Sequence, residues 1–153
     1  MKRKKDFAML YAVLAGFALF VLLPIILIGM IGLHTSPSVS LPTGSRIQTV
    51  DTFGGFPAYG IEMHIVQIPP EKSEEFEKHL RQEGFFQMPL PADVHETIAF
   101  DSDTEMLADI SNGLWWFENR GTGDGKVSGI YENFDLLIFD FDTCTYYDLH
   151  YSL

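Results

Sequence analysis

The chain has 153 residues, a formal net charge of −11, and a very uneven distribution of that charge along the sequence. Four of the ten basic residues lie within residues 2–5, whereas Asp6 is the one acidic residue of 21 that precedes position 34. Residues 34–153 thus carry 20 acids against 6 bases, a net charge of −14. Such a surface excludes nucleic acid as a partner, because phosphate binding draws on Lys and Arg.

Residues 7–33 form a run of 27 residues without one charged side chain. A helix of that length rises about 40 Å, enough to cross a hydrocarbon core about 30 Å thick. The basic stub of residues 1–6 stays in the cytoplasm under the positive-inside rule, which predicts an extracytoplasmic C-terminal domain. The run is too long for a signal-peptide core, so a retained single-pass signal-anchor in the lipid bilayer is favoured over cleavage near residues 38–40.

Three small residues of this anchor, Ala8, Ala12 and Gly16, share one helix face at four-residue spacing. Small side chains in that pattern let two membrane helices approach closely, so a homodimer through the anchor is one hypothesis. Ordinary alanines in an apolar helix are the alternative.

Residues 34–45 are low in apolar side chains and contain Pro and Gly, which predicts a flexible tether. The remaining residues, 46–153, have the length of one ordinary domain. Cys144 is the single cysteine, so an intrachain disulfide is excluded.

The first half of the domain predicts strands followed by a helix. Residues 47–52 favour a short strand, and residues 59–68 alternate apolar and polar side chains as a half-buried strand does. Pro70, acids in the first turn and Gly84 at the end indicate a helix over residues 71–83. So narrow an apolar stripe requires that this helix pack on a sheet.

The middle of the domain is less regular. Residues 85–91 are apolar but contain two prolines, which predicts an ordered loop or an edge segment. Ser102 and Glu105 have the spacing of a capping box before a short helix over residues 106–110. Residues 114–119 are rich in aromatic side chains and predict a strand.

The C-terminal residues give the clearest prediction, an antiparallel hairpin formed by residues 134–141 and 145–151. Before it, residues 121–125 contain three glycines and predict a flexible loop. Together these elements predict an α+β domain with a mainly antiparallel sheet of four or five strands and one or two covering helices.

Residues 115–120 read Trp-Trp-Phe-Glu-Asn-Arg, and residues 133–143 read Asn-Phe-Asp-Leu-Leu-Ile-Phe-Asp-Phe-Asp-Thr. This part resembles the C-terminal half of small bacterial membrane-anchored or secreted proteins in which a W-x-F-x-x-R strand precedes an N-F-x-L-x-x-x-D-x-D-T hairpin. The likeness covers roughly a quarter of the chain. It implies an extracytoplasmic domain that ends in a hairpin, and it implies no activity.

Asp101, Asp103 and Glu105 alternate as the carboxylates of a calcium loop do. The sixth and twelfth positions counted from Asp101 lack the Gly and Glu of an EF-hand, so that motif fails. Solvated acids at a helix start are the favoured interpretation, and a looser cation site that adds Asp124 is the alternative. No metal or cofactor is predicted.

No recognisable catalytic motif is present in the sequence. The five histidines lack zinc-ligand spacing, and there is no Gly-x-Ser-x-Gly. Cys144 lies in an acidic turn that disfavours its thiolate. Asp140 and Asp142 form a carboxylate pair that a solvated turn explains. The domain is therefore predicted not to be an enzyme.

Aromatic side chains are concentrated in the last 40 residues, where Trp115 and Trp116 are adjacent on one predicted strand. Neighbours on a strand point to opposite faces, so both enter a core only if the sheet is covered on both sides. One hypothesis is that Trp115, Trp116 and Tyr147 contribute an exposed surface that binds a protein or peptide. The alternative is a second layer built from residues 85–91 and the short helix.

Three classes of function fit these features. A membrane-anchored extracytoplasmic binding module explains the anchor, the tether, the acidic surface and the aromatic side chains. The alternatives are an inhibitor or immunity-type protein that neutralises a basic partner, and a small extracytoplasmic enzyme without a recognisable motif.

Overall fold

A computed structural model describes residues 37–53, 60–121, 126–127 and 130–152 of the chain. The predicted stub 1–6 and the anchor 7–33, with Ala8, Ala12 and Gly16, lie outside the described residues, as do positions 122–125 of the predicted glycine loop. Within the part of the chain that is described, no helix is both long and apolar enough to cross a membrane.

The described residues form an α+β domain. Its strands are β1 (Arg46–Asp51), β2 (Gly60–Gln67), β3 (Phe86–Gln87), β4 (Gly113–Asn119), β5 (Lys126–Val127), β6 (Ile130–Tyr131), β7 (Asn133–Asp140) and β8 (Thr145–Ser152). Its α-helices are α1 (Ser73–Gln82), α2 (Ala92–Phe100) and α3 (Glu105–Ala108), and a short 3-10 turn, Pro70–Lys72, precedes α1.

Six of these strands make one antiparallel sheet in the order β1-β2-β8-β7-β4-β3, and β5 and β6 pair separately. The prediction of four or five strands was therefore too low. The additional strand is β3, only two residues long, which pairs with β4 at one edge of the sheet. It is this short because Pro89 and Pro91 follow and cannot donate to a ladder. The prediction of an edge segment within residues 85–91 is confirmed.

The sheet is covered on both faces, which explains why β7 is buried from Phe134 to Asp140. Phe134, Leu136 and Ile138 join the core on the side of α2 and α3, whereas Leu137 and Phe139 join the core on the side of α1. We call these two sides the α2 face and the α1 face. Because successive side chains of a strand point in opposite directions, one strand supplies both cores.

Helix α1 is amphipathic and buries only a narrow stripe, Phe76 and Leu80. The ring of Phe76 makes edge-to-face contacts with Phe139, at 5.1 Å between centroids, and with Tyr146, at 5.5 Å. The helix ends where Gly84 adopts a φ of 89°, and the next N–H, of Phe85, bonds to Leu80 O at 3.1 Å. The predicted helix and its glycine terminus are thus confirmed.

The α2 face is covered by helices that the sequence predicted incompletely. Helix α2 was missed, although it starts directly after Pro91 and buries Val94 and Ile98 one turn apart. The predicted capping box at Ser102 was wrong. Helix α3 begins at Glu105 without a side-chain cap, because the hydroxyl of Thr104 instead donates to Ile98 O at 2.7 Å and ties α3 to α2.

The predicted hairpin of β7 and β8 is confirmed, and its turn is held by Asp140. This buried carboxylate accepts the N–H of Asp142 at 2.9 Å and the hydroxyl of Thr143 at 2.6 Å. Cys144 closes the turn in the left-handed region with a φ of 52°. Asp140 therefore shapes the turn, as an Asx-type side chain does, whereas the carboxylate of Asp142 accepts a hydrogen bond from Asn112 Nδ2 at 2.6 Å.

Replacing Phe76 with Ala is expected to lower the free energy of unfolding by about 3–5 kcal/mol, because the lost ring leaves a cavity between α1 and the sheet. Urea unfolding of the full-length protein, followed by near-ultraviolet circular dichroism, measures the change. Phe100→Ala is the matched control, since Phe100 also lies on a helix but is 72% exposed, and it should cost less than about 0.5 kcal/mol. Equal losses in the two variants would contradict this packing.

Candidate functional site

The structure separates the three aromatic residues proposed for binding. Trp115 packs on the α2 face, where its ring lies 4.9 Å from that of Phe86 and its Nε1 donates to Gln87 O at 3.2 Å. Trp116 packs on the α1 face. Tyr147 belongs to the α2-face core with 9% exposure, so it offers little surface to a partner. The sheet has the second layer that the alternative interpretation required.

Of the three acidic residues considered for a cation, Asp101 uses its carboxylate in contacts within the domain. Asp101 accepts the N–H of Asp103 at 2.9 Å through Oδ1 and the hydroxyl of Tyr151 at 3.1 Å through Oδ2. Burial, together with this bond to Asp101, raises the pKa of Tyr151 to about 12. Asp103 and Glu105 are exposed. Within the described ranges, no group of three His, Cys, Asp or Glu residues is arranged to hold a metal ion.

A different set of polar residues is brought together on the α1 face by strand register. His64 of β2 lies opposite Asp148 of β8. Two residues along the strands, His150 of β8 lies between Glu62 of β2 and Asp135 of β7. Two histidines and three carboxylates from three neighbouring strands therefore share one face of the sheet.

Four of these five residues, all except Glu62, line a cleft of about 300 Å³, which we call the sheet cleft. Its apolar lining is Pro37, Val39, Leu41, Ile47, Val66 and Leu137. Its polar lining is Thr49, His64, Asp135, Tyr146, Asp148 and His150. Residues 37–41 belong to the stretch that the sequence assigned to a tether, and Val39 packs against the α1-face core. The cleft thus combines an aliphatic wall with a compact group of titratable side chains.

Asp135 fixes the orientation of His150. Its side chain is only 7% exposed, and its Oδ1 lies 3.1 Å from Arg120 Nε and 2.5 Å from His150 Nδ1. Arg120 also donates through one NH2 nitrogen to the carbonyls of Phe134 and Tyr151, each at 3.3 Å. The buried carboxylate is therefore neutralised by a cation that is itself bonded to both strands of the hairpin.

Asp148 is the least satisfied group of the cleft. Its Oδ1 is buried and accepts no hydrogen bond from the described residues, and its closest partner, His150 Nε2, is 3.5 Å away. The side chain as a whole is 30% exposed and lines the cleft. Burial raises the pKa of Asp148. The neighbouring His150 and His64 lower this pKa, whereas the neighbouring Asp135 and Glu62 raise it further.

His64 has separate contacts at the outer side of the cleft. Its Nδ1 lies 3.0 Å from the Thr49 hydroxyl, and its Nε2 lies 3.4 Å from Glu62 Oε1. A hydroxyl, an imidazole and a carboxylate in this order resemble a nucleophile with its base. Both His64 and Glu62 are about one-third exposed or more, so water competes for each of these contacts.

The sequence contains a pattern that indicates this site, an acidic residue and a histidine two residues apart on the same strand. Glu62 and His64 are two residues apart on β2, and Asp148 and His150 are two residues apart on β8, so each pair points to one face of its strand. Scanning strands for acid and histidine at this spacing would have selected both pairs. Their juxtaposition depends on β8 pairing with β2, which the sequence pattern does not give.

Comparison with known proteins finds no matching family model, no matching curated protein and no matching solved structure.

Replacing Arg120 with Met is expected to lower the free energy of unfolding by about 2 kcal/mol, because buried Asp135 loses its cationic partner. Urea unfolding of the full-length protein measures the loss. The control Arg46→Met removes the same charge from an exposed position on β1 and should have little effect. A variant at position 120 as stable as this control would contradict the role of Arg120.

Replacing Asp148 with Asn should stabilise the protein at neutral pH. Because the pKa of Asp148 is raised on folding, the native state binds more protons than the unfolded state between the ordinary and the raised value. Wild-type stability therefore falls as the pH rises through that window, and the variant escapes this loss.

Below the ordinary aspartate pKa, Asp148 is protonated in both states, so the advantage of Asp148→Asn should vanish. Urea unfolding at a series of pH values measures the difference between the two proteins. Asp109→Asn, an exposed substitution with the same charge change, serves as the control. A gain that does not depend on pH would count against the burial of this carboxylate.

Proposed function

We propose that the chain is a membrane-anchored, non-catalytic binding protein whose extracytoplasmic domain takes its ligand in the sheet cleft. The observation that carries this proposal is the buried Asp148 Oδ1, an acceptor without a hydrogen bond from the described residues in a cleft of about 300 Å³. Buried acceptors are normally satisfied, so an acceptor to which no described protein group donates favours a hydrogen-bond-donating ligand in the cleft beside it.

The composition of the cleft supports binding. Small-molecule sites are typically concave, mostly apolar and equipped with a few converging polar groups, and the sheet cleft is at the small end of their volume range. Its aliphatic wall of Leu41, Ile47 and Leu137 faces the pair Asp148 and His150. Such a site suits one side chain or one small molecule rather than a broad protein surface.

The anchor and its orientation rest on the sequence. Residues 7–33 are long and apolar enough to span a bilayer, and the four basic residues before them favour a cytoplasmic N-terminus. The ligand is therefore expected to be met outside the cell.

Topology is tested with a single engineered cysteine, Thr43→Cys in a Cys144→Ser background, since position 43 is exposed. A membrane-impermeant maleimide should label this residue in intact cells. Labelling that requires cell lysis would contradict an extracytoplasmic domain.

Binding at the cleft is tested by photo-crosslinking in living cells. The photoreactive residue p-benzoylphenylalanine is placed at position 47, because Ile47 lines the cleft and is 61% exposed. The matched control is position 100, where Phe100 is exposed on α2 and does not line the cleft. A discrete adduct at position 47 and none at position 100 is expected. Similar adducts at both positions, or none at position 47, would contradict the proposal.

A further inference from the structure

The protonation pattern of His150 determines what the sheet cleft can accept. Asp135 is buried and already receives a bond from Arg120, so it acts as a carboxylate acceptor toward His150 Nδ1. A carboxylate only accepts, and Nδ1 therefore carries the imidazole proton. In the neutral ring the other nitrogen, Nε2, is then an acceptor as well.

Two acceptors consequently face each other inside the cleft. Nε2 of His150 and Oδ1 of Asp148 are 3.5 Å apart, and no described residue donates to that buried oxygen. The pair is satisfied when a ligand in the cleft donates to both atoms. Among the described residues, no lysine or arginine lines the cleft, and Arg120 is bonded to Asp135.

We propose that the sheet cleft binds a hydrogen-bond-donating cation on an aliphatic stem, an alkylammonium or alkylguanidinium group, whose N–H groups donate to Asp148 Oδ1 and His150 Nε2 from the cleft side. This inference rests on the proposed function of the cleft and names the chemical class of its ligand. Both cations carry several N–H donors and no acceptor, which matches two converging acceptors.

The rest of the cleft suits such a ligand. An aliphatic stem packs against Val66 and Leu137 while its charged end reaches Asp148, as the stems of Lys and Arg do on apolar surfaces. The domain, with a net charge of −14 over residues 34–153, attracts cations from a distance. A metal ion is a poorer fit, because no three ligating residues of the described ranges are arranged around one point.

The test is an NMR titration of the histidine rings in the full-length protein, with His150 assigned through His150→Gln. The probes are n-butylamine, n-butylguanidine and the neutral isostere n-butanol. The two cations shift the His150 signals at pH 7.5, and n-butanol binds at least about tenfold more weakly, since a charge-assisted hydrogen bond is lost. The better of the two cations identifies whether ammonium or guanidinium is preferred.

Two variants separate the local contact from bulk charge. Asp148→Asn weakens n-butylamine binding about tenfold or more, because it removes the ionised acceptor. Asp109→Asn changes the net charge equally at an exposed position away from the cleft and leaves the affinity unchanged. Equal weakening by both variants would overturn the proposal, as would equal affinity for n-butylamine and n-butanol.

Failure of this inference is distinguishable from failure of the proposed function. A crosslinked adduct at position 47 without any shift by either cation would overturn the cationic ligand and leave a cleft that binds something else. Saturable binding of Zn²⁺ by His64, Asp148 and His150, without binding of n-butylamine, would likewise overturn it. Tighter binding of N-acetyl-lysine N-methylamide than of n-butylamine supports a peptide as the source of the ammonium group, and the reverse order supports a free amine.

Discussion

The burial of both faces of the β7–β8 hairpin is the constraint on which the rest of the domain depends. Strand β7 has no solvent side, so the two carboxylates that it carries, Asp135 and Asp140, are both buried. Each buried carboxylate therefore needs its own hydrogen-bond or ion-pair partners. Asp140 uses the turn that follows it, whereas Asp135 uses a cation from the end of β4 and a histidine from β8.

The partners that Asp135 requires, Arg120 and His150, create the candidate site. Helix α1 covers the sheet around Tyr146 and Phe139, and the polar residues lie further along the same strands. With Nδ1 of His150 held by Asp135, the other ring nitrogen, Nε2, is turned toward Asp148. A stabilising contact in the sheet thus determines the chemistry of the cleft, which is how a rigid scaffold preorganises a binding group.

Local pattern was sufficient for the parts of the fold that depend on one segment. The alternation of β2, the terminal hairpin and helix α1 with its glycine end were all predicted from sequence. Helix α2 was missed because Pro89 and Pro91 suggested an irregular segment, although the second of them starts the helix. The site was missed for a different reason, since His64 and Asp148 meet only through the pairing of strands far apart in sequence.

The motif residues that carry the resemblance to hairpin-ended bacterial proteins make structural contacts in this domain. Arg120 bonds to Asp135 and to two backbone carbonyls, Asn133 receives the hydroxyl of Ser152 at 2.7 Å, and Asp140 shapes the turn. The pattern therefore describes the contacts that stabilise a hairpin buried on both faces.

The adjacent tryptophans of β4 have a consequence for fluorescence. The indole of Trp115 packs with the core under α2 and α3. The indole of Trp116 packs with the core under α1, in the same row of cross-strand neighbours as His64 and Asp148. Intrinsic fluorescence from variants that retain one indole would report each layer separately, and the indole at 116 would sense events in the cleft.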